Sequence, residues 1–197
     1  MTSLTLDTAA QDLLFREART ANTFSDEPVS DEQIEAIYDL IQFAPTSANM
    51  QPLRIFLLRS ETSRERVLKH LGERNRDKTA NAPLIAILAA DTEFHENLPR
   101  VFPHAPGMKD LFSDAGPREQ TARFNSALQS GYFLLGVRAA GLAAGPMTGF
   151  DAAALDADFF PDGRYKSQVI VNIGKPGPNA WFDRLPRLDY NEVVSSI

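Results

Sequence analysis

The densest polar stretch of the chain, Ala44-Pro45-Thr46-Ser47-Ala48-Asn49-Met50-Gln51-Pro52, is bracketed by two prolines. Proline fixes φ and lacks an N–H, so the stretch is neither helix interior nor central strand. Between the prolines stand two hydroxyls and two carboxamides, groups that donate and accept hydrogen bonds. A turn in which Thr46, Ser47 and Asn49 bond their own backbone is the simplest reading. A loop that presents these groups to a ligand is the alternative. Four more polar clusters follow the same logic: Arg19-Thr20-Ala21-Asn22, Asn75 to Lys78, Pro146 to Gly149, and Arg184 to Arg187. Each alone reads as a solvated surface or a cap. Together they suit an anionic, planar, hydrogen-bonding ligand. Guanidinium forks match phosphate, amides and hydroxyls match a ring edge rich in carbonyls and nitrogens, and a Gly-Pro turn admits close approach to backbone donors.

Other chemistries lack their residues. His70, His95 and His104 show no metal-ligand spacing, and there is no HExxH or paired-carboxylate helix, so no metal site is expected. No GxSxG elbow and no GxGxxG after a strand occur, which leaves a catalytic triad and a Rossmann site unsupported. Cysteine is absent. Disulfides, thiolate metal sites and thiol redox chemistry are therefore excluded, and any redox work needs a bound cofactor.

The elements that must position these clusters follow from periodicity. At 197 residues, with 43% hydrophobic and 23% charged, the chain is expected to form one domain over 1–197, without repeats or linkers. A net charge of −6 argues against nucleic-acid and anionic-membrane partners. Met1 to Gln11 has no basic start and no apolar h-region, so no signal sequence is expected, and no apolar run approaches the ~20 residues of a spanning helix; a soluble, cytoplasmic protein is expected. Helices are predicted over Thr8–Arg19, from the Ser30–Gln33 capping box through Ile41, from Thr62 through Leu71 with Gly72 as its stop, and over Arg74–Asn81. Arg118–Ala140 is the longest helical run, apolar nearly all round and closed by Gly141, and Asp151 caps a short helix through Leu155. Strands are predicted at Arg54–Arg59, Pro83–Ala90 and Val169–Ile173. Gly145–Phe150 reads as a rigid turn, and Asp91–Gly116 as a long aperiodic flap.

The order of these pieces resembles the FMN-dependent nitroreductase superfamily over essentially the whole chain. Arg19-Thr20 precedes the Pro28-Val29-Ser30-Asp31 helix start, and Ala44 to Pro52 leads into a strand. Asn75-x-x-Lys78 precedes the next strand. Gly145-Pro146-Met147-Thr148-Gly149-Phe150-Asp151 and a terminal Arg187 before Glu192-Val193-Val194 complete the set. The wording Glu17-Ala18-Arg19-Thr20-Ala21-Asn22 and Pro45-Thr46-Ser47-Ala48-Asn49 is similar to the malonic semialdehyde reductase branch associated with pyrimidine degradation.

The resemblance implies an α+β fold, a three-layer α/β/α sandwich with a mainly antiparallel central sheet, assembled as an intertwined homodimer with the long apolar helix at the interface. It implies that Arg19 and Arg187 hold an FMN phosphate with Thr20 alongside, and that Asn75 and Lys78 face the ribityl chain and pyrimidine edge. The turn Pro146, Met147, Thr148 and Gly149 would meet the flavin N5 region. Pro45, Thr46, Ser47 and Asn49 would reach the flavin of the other subunit. A cation such as Lys78 beside the ring stabilises the anionic reduced flavin. Two positions depart from the family pattern: its Arg-Arg-Ser start reads Ala18-Arg19-Thr20, and a frequent basic residue stands as Asn22. Arg184 is the candidate to compensate. The implied activity is ping-pong hydride transfer from NADH or NADPH to a small aldehyde, malonic semialdehyde giving 3-hydroxypropanoate, with Asp91–Gly116 walling the substrate pocket. The alternatives are a nitroreductase or quinone reductase of broad acceptor range, a non-catalytic flavin-binding protein, and an α/β scaffold without a ligand.

Overall fold

The computed structural model describes residues 4–197. Helix α1 (Thr8–Gln11) starts where the Asp7 carboxylate accepts from the Ala10 N–H at 2.8 Å, and a π-helical turn, Asp12–Arg16, extends it. It ends before the predicted Arg19, because the chain turns extended to lie along a sheet edge. Helix α2 (Asp31–Ile41) carries the expected box: Gln33 N donates to Ser30 Oγ at 3.2 Å and Ser30 N to Gln33 Oε1 at 3.0 Å. Strand β1 (Leu53–Leu58) leads to α3 (Glu61–Leu68), which is capped by Ser60 rather than by the predicted Thr62. Ser60 offers the same oxygen directly at the strand end and accepts from Ser63 N at 3.1 Å. Gly72, predicted to stop that helix, is instead the residue from which α4 (Glu73–Ala80) starts, while Leu71 bridges to Phe150.

Strand β2 (Leu84–Asp91) is followed by the segment predicted as an aperiodic flap. It forms two 3₁₀ turns, Phe94–Asn97 and Pro106–Phe112, around α5 (Leu98–Val101). Phe94 and Leu98 pack with Met50, Ala90 and Ala122 in a core of their own, which is why the segment is ordered. Helix α6 (Ala115–Ala139) begins at its Asp114 cap, and Gly141, at φ +72°, closes it in the left-handed conformation that favours glycine. Strand β3 (Ala143–Met147) takes over half of the predicted Gly145–Phe150 turn. Then come α7 (Ala152–Phe159), β4 (Tyr165–Gly174), longer than the predicted Val169–Ile173, and α8 (Tyr190–Val193).

The four strands pair antiparallel throughout in the order β1-β2-β4-β3. All eight residues of β2 are buried, as a central strand covered on both faces requires. On one face Leu84, Ala86 and Leu88 meet Ile37 and Ile41 of α2 and Phe133 and Val137 of α6. On the other, Ile85 and Ile87 meet Val67 of α3 and Leu155 of α7. Three layers result, as expected. Helix α6 is not buried all round in the single chain. Phe124, Leu128 and Tyr132 form an exposed i, i+4, i+8 stripe, and the tail exposes Phe182, Leu185 and Leu188. No helix among the described residues is long and apolar enough to cross a membrane.

Candidate functional site

The site starts at the β3 edge. Ala21 N donates to Ala144 O at 3.0 Å, and a Cβ on Gly145 would stand 2.8 Å from Ala21 O, so only glycine lets the extended segment lie this close. Asn22 N donates to Ala180 O at 3.0 Å and brings the C-terminal tail alongside. A cleft of about 270 Å³ opens between them, lined by Arg19, Thr20, Arg184 and Arg187. Asn22 and Phe182 line it and also a larger cleft of about 690 Å³, which Asn75 and Lys78 of α4 wall on the far side. Seven of the residues singled out in the sequence thus share one trough, whose walls also carry the apolar Phe24, Phe182 and Leu185.

Its cations outnumber its acids: Arg19, Arg74, Lys78, Arg184 and Arg187 line the two clefts with Asp77 and Asp183, and neither aspartate holds a salt bridge among the described residues. Arg187 donates to Leu185 O and Pro186 O, at 2.9 and 3.1 Å, and Arg184 donates to Arg16 O. Neither guanidinium is spent on a carboxylate among the described residues. Arg19 reaches only the exposed Glu17, at 3.6 Å. Burial alone pushes the Lys78 ammonium below the ordinary lysine range, the signature of a partly desolvated cation without a counter-charge. Asn75 Nδ2 donates to Gly149 O at 3.2 Å, and Gly72 N donates to the same oxygen at 3.1 Å. The turn after β3 is thereby tied to α4, with Thr148 and Gly149 exposed and Pro146 half-buried. The Met147 side chain packs in the core, and none of Pro146, Met147, Thr148 and Gly149 lines either cleft, so the turn joins the trough only through its bond to Asn75. Asn172 donates to Thr79 Oγ1 at 3.0 Å, while Asn172 Oδ1 is buried without a partner.

The Pro45–Asn49 group lies elsewhere. Ser47 N donates to Asn125 Oδ1 and Asn49 Nδ2 to Val101 O, both at 2.8 Å. Gln51 closes the loop, its N–H donating to Thr46 Oγ1 at 3.2 Å and its amide to Asn49 Oδ1 at 2.9 Å. Ala48, Asn49 and Gln51 have φ of 47°, 48° and 45°, left-handed conformations that cost about 1 kcal/mol or more each and concentrate at functional sites. The loop precedes β1 and the Arg19–Asn22 segment flanks β3, the two outer strands of the sheet. Along α6, Asn125 holds the loop and Arg138 stands with Arg19 in another pocket; thirteen residues of helix put these about 20 Å apart. Within one chain the two groups do not meet.

Several residues escaped the sequence reading. Asn125 and Gln129, i and i+4 on α6, are buried and accept from Ser47 N and Leu53 N. A carboxamide pair on a buried helix face was the available signal. Phe182, which lines both clefts, carried none. Glu93, His95 and Glu96 bring ligand-type atoms within 4.8 Å of one another, despite the absence of metal-ligand spacing in sequence. Arg118 already holds Glu93 at 2.9 Å and Lys109 holds Glu96 at 2.7 Å, so the carboxylates are neutralised in an ion-pair network.

Residues 15–175 match the family model described as Nitroreductase family. The chain belongs to the nitroreductase family. Nitroreductases bind FMN and use NAD(P)H as reductant. A Streptomyces griseus protein provisionally named NADH dehydrogenase/NAD(P)H nitroreductase is 61% identical over 99% of this chain and 100% of its own length. A Rhodopseudomonas palustris protein of the same provisional name is 47% identical over 97% of each chain. The fold is that of an Exiguobacterium sibiricum protein solved in complex with FMN, at a TM-score of 0.84 and 19% identity over the whole of both chains. It is also that of an enone reductase of gut-bacterial fatty acid saturation, at a TM-score of 0.81 and 16% identity, covering 97% of this chain and 99% of that one.

Proposed function

We propose that the chain is an NAD(P)H-dependent FMN oxidoreductase acting in the cytoplasm as a homodimer. The observation that carries this is the trough itself, with the half-buried Lys78, which holds no salt bridge among the described residues, at one end and Arg19, Arg184 and Arg187 at the other. The trough lies in the volume range of small-molecule sites, and its donor set suits a phosphate at one end and an electron-rich ring edge at the other. Arg19, Arg184, Arg187 and Thr20 hold the phosphate. Asn22 and Asn75 orient the chain between phosphate and ring. Lys78 supplies positive charge where the reduced cofactor gains negative charge. Bound there, FMN would supply the capacity to pass a hydride from the nicotinamide to an acceptor.

Two copies complete the site. The Pro45–Asn49 loop stands about 20 Å along α6 from the Arg19 end, so it serves the trough of a second chain. The exposed stripe on α6 provides a face for that contact.

The favoured acceptor is malonic semialdehyde, reduced with NAD(P)H and one proton to 3-hydroxypropanoate and NAD(P)+. The names of the relatives favour a second reading, a nitroaromatic or quinone acceptor. An absorbance spectrum of the purified protein, followed by NAD(P)H oxidation with each acceptor, tests these readings. A yellow protein with aldehyde turnover is expected. Bound FMN that NAD(P)H leaves oxidised returns a non-catalytic flavin-binding protein, and a colourless protein that refuses FMN sinks the proposal.

A further inference from the structure

A second pocket, of about 460 Å³, opens beside the end of the polar loop, at Met50 and Gln51. Gln51, Arg54, Asn97 and Arg100 supply its polar wall. No carboxylate lines it, in a chain where acids outnumber bases 26 to 20. Arg54 donates to Gln51 O at 2.9 Å and pairs with Asp91 at 2.7 Å, its side chain remaining 31% exposed. Asp91 is fully buried and shared: Arg164 grips the same carboxylate through two bonds of 2.8 and 2.9 Å. Glu93, the next carboxylate, is held by Arg118. With Glu96 held by Lys109, three carboxylates (Asp91, Glu93, Glu96) answer four cations (Arg54, Arg164, Arg118, Lys109), and the network keeps a positive charge. Arg100, exposed at the rim, has no carboxylate partner among the described residues. The net effect is a concave, cationic pocket with two amides, the chemistry that recognises a carboxylate.

Its position gives this a use. Asn49 bonds Val101 O, and both Val101 and Gln51 line the pocket. The loop read above as reaching a second chain's FMN thus runs directly into this pocket's wall at Met50 and Gln51. We infer that the pocket anchors the carboxylate of an anionic acceptor, with Arg100 as the specificity-determining residue, Arg54 as the fixed positive charge, and Gln51 and Asn97 as neutral donors. The acceptor class is a short oxo acid whose carbonyl extends from this anchor toward the cofactor. The inference rests on the oxidoreductase reading for its catalytic meaning but not for its binding test.

Calorimetry with malonate, a dicarboxylate that takes no hydride, reads the pocket of the holoenzyme without turnover. Binding to the wild type is expected, weakened at least tenfold in Arg100→Gln and partly restored in Arg100→Lys. Steady-state kinetics give the second measure: KM for an oxo acid divided by KM for its neutral methyl ester rises at least tenfold in Arg100→Gln. Wild-type protein that does not bind malonate, or a ratio that the substitution leaves unmoved, overturns the inference. Absence of NAD(P)H oxidation with every acceptor overturns the oxidoreductase reading instead, and malonate binding then still decides the pocket.

Discussion

The Asn75 side chain donates to the Gly149 carbonyl across 3.2 Å, and a Cβ on Gly149 would stand 2.8 Å from the same amide nitrogen. The hydrogen bond joins α4, which walls the trough, to the turn after β3. In Gly149→Ala the methyl must displace the Asn75 amide, the far end of a flexible side chain, rather than any backbone. Folding stability should hardly change. FMN affinity should fall about fivefold, the loss of one oriented hydrogen bond worth about 1 kcal/mol. Fluorescence titration with FMN beside a thermal melt checks both halves; a melt that collapses while affinity holds would reverse the assignment.

Lys78 gives the trough a pH dependence. Burial lowers its pKa from the usual lysine value, so the free protein gives up this proton at a lower pH than an exposed lysine does. A bound anion favours the charged form and raises the pKa again. Between the two values, binding must take up a proton, and affinity falls as pH rises through that window. FMN affinity measured from pH 7 to 10.5 should decline in the wild type and stay flat in Lys78→Gln, which should also bind more weakly at pH 7. Equal slopes in the two proteins would remove Lys78 from the site.

Asp91 carries a stability prediction. Burial by itself raises its carboxyl pKa, but the Arg164 bonds and the Arg54 charge outweigh that and lower it overall. A depressed carboxylate stabilises the fold above its unfolded pKa, near 4, and the contribution is lost as pH falls through the folded value. Asp91→Asn removes the charge at every pH and strands two guanidinium groups. The cost should be about 3 kcal/mol, the low end for a broken buried pair, since Arg54 and Arg164 both reach solvent. Chemical denaturation at pH 7 measures it. The mutant should also show a shallower acid-induced decline below about pH 4 than the wild type, the remainder belonging to other depressed carboxylates such as Asp158.

What could be read from the residues depended on how local the deciding physics was. The Ser30–Gln33 box and the Gly141 stop are contained within a turn of helix, and both appear as predicted. Strand β3 did not announce itself, because Ala143-Ala144-Gly145-Pro146-Met147 has little strand propensity. It is a strand because β4 pairs with it on one side and the Ala21 N–H reaches it on the other. Likewise Asp91–Gly116 lacks periodicity but finds order through Phe94 and Leu98 packing on Met50 and Ala122, contacts between distant parts of the chain. The trough residues were visible as polar clusters. That Asn22 and Phe182 join two clefts was not, since the bond from Asn22 N to Ala180 O spans most of the chain.

The α6 stripe tests whether two copies are needed. Phe124, Leu128 and Tyr132 are 65%, 44% and 42% exposed, a contiguous apolar row that a solvated helix face does not require. The opposite face of α6 is buried through Phe133 and Val137, so the helix is fixed in the domain while the stripe remains available. Leu128→Glu places a charge in the middle of that row without touching the core or the trough. In a single chain such a surface change should cost no more than about 0.5 kcal/mol. In a dimer it buries an unpaired carboxylate and should drive dissociation. Sedimentation equilibrium should show a dimer for the wild type and a monomer for Leu128→Glu, and FMN affinity should drop at least tenfold with it, because the Pro45–Asn49 loop leaves with the partner. A wild-type monomer that binds FMN tightly would mean that one chain makes the whole site, and that the loop about 20 Å away along α6 has another purpose.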